Sequence, residues 1–184
     1  MPTIHVYKIR STVDDTRPIL DFDVPENRNR GAEILSRIQL QDSSHEPVHM
    51  TVEHDEAEDW DCYSCGEAYC VISERAMSIL GPAFLGRAKY VPILINGSAL
   101  YFAIYDVSIL DCLNFKKSKI LMFPHDQHRI MRISNYYFKK RLIPDPCIFS
   151  LPEGPFGMFG TDGVELTIRT SELSGFSVLD AETA

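Results

Sequence analysis

The side chains in this chain with the clearest chemical potential are sulfur ligands. Cys62-Tyr63-Ser64-Cys65 spaces two thiols as zinc sites do, with Cys70 and His54 near enough in sequence to complete a set. A structural zinc ion takes its ligands in a closed tetrahedral array, usually two paired spacings. No second CxxC and no HxxxH follows at that spacing, so reduced cysteines packed in a core are the better reading, and no cofactor is expected. A second candidate is Pro124-His125-Asp126-Gln127-His128, where a His–Asp pair could act as a base or two imidazoles could hold a metal. A polar hairpin loop accounts for the same residues. No GxSxG elbow is present. The glycines of Glu153–Gly157 and Phe159–Gly163 do not fall in the order of a phosphate loop. Catalytic residues are therefore not assigned and an enzyme is not expected. The alternative is a small zinc-binding regulator or metal-dependent enzyme using Cys62, Cys65 and Cys70.

Charge is distributed in two opposite blocks. Residues 41–67 carry nine Asp and Glu with no Lys or Arg, and they surround the sole tryptophan. A like-charge block of this kind reads first as a solvated connection. Its functional reading is a partner-binding face, with Asp55, Glu56, Glu58, Asp59 and Asp61 arranged about Trp60 as an anchor. Residues 115–141 are the reverse, with eight Lys and Arg against Asp126 alone. Aromatic residues interleave there, as in platforms that stack single-stranded nucleic acid. The same pattern also fits surface strands whose cations alternate with buried rings. A net charge of -8 over the whole chain weighs against nucleic acid and anionic membranes, so the structural reading is preferred.

These groups need a scaffold, and the 184 residues are enough for one core. The expectation is a single α+β domain, 1–184, of mostly antiparallel sheet with two or three packed helices. Its core is 68–184, with 1–67 a less defined subregion. Tyr69–Ile72 reads as a strand buried on both faces, followed by Ser73 as helix cap and Gly81-Pro82 as helix stop. Tyr90–Ile95 and Leu100–Val107 read as strands about an Asn96-Gly97 turn. Lys119–Phe123 and Arg129–Ile133 form a further pair. Cys147–Leu151, Met158–Phe159, a helix over Val164–Thr170 and a strand over Phe176–Leu179 complete the chain, before a frayed tail from Asp180. The start MPTIHVYKIR lacks the apolar stretch of a secretion signal. No window approaches the ~18 apolar residues of a membrane span. With five cysteines, an odd number, a cytoplasmic setting follows.

Three segments bear a resemblance. Val71–Pro82 (VISERAMSILGP), Tyr90–Ile120 (YVPILINGSALYFAIYDVSILDCLNFKKSKI), and Cys147–Leu151 together with Phe159–Leu179 are similar to a family of small bacterial immunity proteins of polymorphic toxin systems, first defined as a domain of unknown function. Leu113-Asn114 stands where that family often has Leu-Asp. The resemblance implies a cytoplasmic protein that neutralises a cognate secreted toxin domain by stoichiometric binding. It carries over no catalytic residue. An acidic chain suits a basic, nuclease-like toxin; a homodimer stays open.

Overall fold

The computed structural model describes residues 4–11, 47–50, 60–63, 70–153 and 157–182. The fold is α+β, with two helices and twelve strands among the described residues, the strands mainly in antiparallel sheets. The first sheet runs in the order β12 (Phe176–Asp180), β1 (Val6–Ser11), β11 (Met158–Thr161), β10 (Ile148–Ser150), β7 (Ser108–Ile109). The second runs β2 (Val48–Met50), β5 (Lys89–Ile95), β6 (Ala99–Asp106), β4 (Cys70–Ser73), β3 (Cys62–Tyr63). Only the β10–β7 and β2–β5 pairs among these are parallel. A separate hairpin joins β8 (Lys119–Phe123) to β9 (Asp126–Asn135).

Cys70-Val71-Ile72 shows why an unbroken apolar run makes a strand buried on both faces. Cys70 and Ile72 point into a core shared with Ile9, Met158 and both helices, α1 (Glu74–Leu80) and α2 (Asp162–Thr170). Val71 points the other way, into a cluster with Val91, Ile93, Tyr101 and Ala103. The opposite face of the first sheet is covered in turn by a third cluster. There Phe149 and Phe159 lie 5.7 Å apart and pack against Phe138 and Tyr136. Ile120 and Ile130 of the hairpin pack on this aromatic group, which fixes the inner side of the hairpin to the body.

Local signals account for most element ends. The Ser73 hydroxyl accepts from Ala76 N at 3.0 Å, as its capping role requires. Asn96 and Gly97 adopt φ of 51° and 72°, and with Ser98 form the loop from Ile95 to Ala99. Gly81 departs from its expected left-handed stop: at φ -47° it opens a 3-10 turn, Gly81–Phe84, and the reversal comes at Leu85 and Gly86. Pro82 is tolerated there because the first turn of a helix needs no N–H from it. Thr161 stands at the N-cap of α2, but its hydroxyl donates to Asp145 instead of capping. The Asp145 carboxylate takes over, accepting from Gly163 N at 3.0 Å. A side chain at Gly163 would place its Cβ 2.8 Å from that carboxylate oxygen. The tail is also more ordered than expected. Asp180 ends β12, and buried Ala181 donates to Val6 O and accepts from Tyr136 N.

Candidate functional site

The structure separates the charged residues into two settings, and Asp61 defines the first. It precedes β3, with its side chain only 6% exposed. Its carboxylate accepts from the Ser73 hydroxyl at 2.7 Å, Arg75 Nη1 at 2.6 Å and Ser174 N at 3.0 Å. Asp61 N is donated in return to Ser174 Oγ at 3.0 Å, and Ser73 N donates to Asp61 O. Arg75 Nη2 reaches on to the Ser171 carbonyl. One carboxylate therefore ties β3, the start of α1 and the loop after α2 together. Burial of a carboxylate is tolerable only when its oxygens are matched in this way. This corrects the expectation of Asp61 as a partner-facing acid: its oxygens are engaged inside the fold.

The neighbouring candidates divide. Trp60 is half-buried against the outer cluster of the second sheet, its carbonyl accepting from Tyr101 Oη at 3.1 Å and its N–H donating to Tyr63 Oη at 3.3 Å. Its ring also lies against Gly175, where φ is +76° and a Cβ would sit 2.9 Å from Trp60 Cε3 and 2.3 Å from the Cys62 carbonyl oxygen. Asp55, Glu56, Glu58 and Asp59 lie outside the described residues, as do His54 and Cys65. Cys62 and Cys70 are buried in the shared core. Burial, then the adjacent Cys70 thiol, holds Cys62 protonated well above the ordinary thiol range. A neutral thiol in that setting is a poor ligand and a poor nucleophile. Cys112 is pushed up to about 12 by burial and the Glu153 carboxylate, and Cys147 to about 11 by burial and Asp145. Among the described residues, no three His, Cys, Asp or Glu side chains converge as metal ligands.

The second setting is the β8–β9 hairpin, where the cations are exposed. Residues paired across antiparallel strands share a face. Ile120 opposite Ile133 and Met122 opposite Ile130 put these four inward, while Leu121 opposite Arg132 faces out. The register shifts between Leu121 and Met122 leave Met131 as an extra residue, a bulge that keeps Ile130 inward and Arg132 outward. Arg129 lies over the Phe123 ring at 4.9 Å, a cation–π contact on that outward side. Leu121 is 55% exposed and Met131 51%. His125 and His128 are exposed at the tip, with His128 N donating to Asp126 Oδ1, so the turn explains that acid. Sequence reasoning identified the basic segment but missed its outward apolar centre. The signal was Leu121 between Ile120 and Met122, both of which the strand pairing turns inward.

A third feature is an open groove of about 390 Å³ lined by Arg87, Lys89, Asp106, Ser108 and Ile109. Its Lys89–Asp106 pair is closed at 3.2 Å, and Ser108 Oγ donates to the Phe84 carbonyl. Among the described residues, no helix is long and apolar enough to cross a membrane. No protein-family model matches the chain, and no curated protein matches it.

Proposed function

We propose that this chain is an immunity protein that neutralises a cognate secreted toxin domain in the cytoplasm by forming a stoichiometric complex, and that it acts without catalysis. The observation that carries the reading is the outward side of β8–β9, where exposed apolar side chains lie among cations. An apolar centre with a charged rim is the anatomy of a protein-binding patch. The placement of the resembling segments adds support. Val71–Pro82, Tyr90–Ile120 and Phe159–Leu179 supply most of β4, α1, β5, β6, α2 and β12, which contribute to the central cores. The acidic block adds an electrostatic element on the opposite sign: Asp55, Glu56, Glu58 and Asp59, beside Trp60, would speed encounter with a basic toxin.

The test is co-expression with the toxic C-terminal domain of a large secreted protein encoded upstream. The expected result is survival of the host together with a co-purified complex of fixed stoichiometry. Survival without any complex would overturn the binding mechanism and point to enzymatic protection.

A further inference from the structure

We propose that the outward face of the β8–β9 hairpin, centred on Leu121, docks onto an acidic patch of the toxin domain. The identity of the partner rests on the immunity reading above; its chemistry rests on the face itself. Lys119, Arg129 and Arg132 surround Leu121 and the bulged Met131, and Lys116 and Lys117 lie just before β8. All five cations are exposed. None forms an ion pair with a described carboxylate, whereas Lys139 pairs with Asp111, Lys140 with Glu182 and Lys89 with Asp106. Lys89, Lys139 and Lys140 are thus neutralised within the fold, while the five cations gathered at the outer face meet no described carboxylate. The inner face of the same hairpin packs Ile120, Ile130 and Ile133 on the aromatic cluster, which leaves the outer face for another molecule.

Three occupants compete for such a face, and the observations favour an acidic protein. Single-stranded nucleic acid is held by exposed rings over a basic groove. Here the outward residue at the centre of the strand pair is Leu121, the Phe123 ring is already covered on one side by Arg129, and the exposed rings Phe115 and Tyr137 lie outside the two strands. A second copy docking through the same face would oppose identical cations across a twofold axis, which is unfavourable without intervening anions. An acidic protein patch meets both parts, carboxylates on the cations and apolar contact on Leu121.

The test uses the full chain and three probes: a labelled polyglutamate peptide, an oligothymidylate of matched length, and the upstream-encoded toxin domain. The variants are Lys119→Glu/Arg132→Glu, Leu121→Asp and the charge-keeping Lys119→Arg/Arg132→Lys, each checked for an unchanged thermal melt. The expected result is salt-sensitive binding of polyglutamate, about tenfold or more weaker in the charge-reversed protein and kept in the conservative one. Leu121→Asp should weaken the toxin complex more than the peptide complex. The proposal is overturned if oligothymidylate binds more tightly than the peptide through the same residues. It is also overturned if the reversed variant binds both acidic probes as the parent does, or if Leu121→Asp only dissolves a self-dimer. A parent chain that binds polyglutamate through this face but neither binds nor survives the toxin would remove the immunity reading and leave the acidic-partner face. A toxin complex indifferent to all three variants would do the converse.

Discussion

Asp61, just before β3, and Arg132, within β9, illustrate opposite uses of charge. Asp61 is buried and matched by Ser73, Arg75 and Ser174, so its charge is part of what holds the two helical ends to the second sheet. Arg132 is exposed on a face whose neighbours are also cations, and nothing in the described body neutralises it. A matched buried charge matters for folding, because removing it leaves polar partners without their acceptor. An unmatched exposed charge contributes little to folding and is available to another molecule. Mutations in the two regions should therefore separate stability from binding.

The largest expected effect is on the Asp61 side. Asp61→Ala strands the Ser73 hydroxyl and the Ser174 N–H and frees Arg75, which should lower unfolding free energy by about 2–4 kcal/mol in urea titrations. A loss below the scatter of surface mutants would break the comparison at its first term. Gly175→Ala tests the neighbouring packing. Its φ of +76° and the Cβ approach of 2.3 Å to the Cys62 carbonyl oxygen admit no side chain without a shift. A cost of about 2 kcal/mol, read from the denaturation midpoint, is expected.

A smaller effect concerns the core that anchors the hairpin. Cys112 and Cys147 belong to the cluster against which Ile120 and Ile130 pack, and their folded pKa values are raised to about 12 and about 11. A raised folded pKa stabilises the native state fully below the unfolded thiol value of about 8.5. That contribution is lost as pH rises through the folded values, because the unfolded chain sheds its protons first. Stability should thus fall between pH ~8.5 and 11, and a Cys112→Ala/Cys147→Ala protein should show a flatter alkaline limb. An identical limb in both proteins would show that the thiols are not protected and that the hairpin base is looser than described. The smallest effect is expected on the outer face: Leu121→Asp and Arg132→Glu should each change stability by no more than about 0.5 kcal/mol by the same titration. A large loss from either would make the face structural and end its contrast with Asp61.

The sequence was legible where the physics is local. The apolar run Cys70–Ile72, the Ser73 cap and the Asn96-Gly97 turn are decided by residues within a few positions, and they stand where expected. The same holds for the alternation that placed Tyr136 and Phe138 in the core beneath a basic segment. Contacts across long separations left no such signal. Ser174 reaches Asp61 across 113 positions, so an acid in an acidic block looked like surface until the fold brought its donors to it. Asp145 displaces Thr161 as the cap of α2 from a preceding turn, and Ala181 closes a bond to Val6 near the other end of the described chain. For the candidate face, the basic composition was visible, and alternation with Ile120 and Met122 turns Leu121 outward. The exposure of Met131 and the inward placement of Ile130 depend on a bulge that strict alternation does not encode.

The most direct measurement is host survival and complex formation with the upstream-encoded toxin domain for the Lys119→Glu/Arg132→Glu chain beside its parent, each shown to be folded by an unchanged melt. The parent should protect the host and co-purify with the toxin domain, and the charge-reversed chain, equally stable, should lose both. Undiminished protection by the charge-reversed chain would contradict docking through the β8–β9 face.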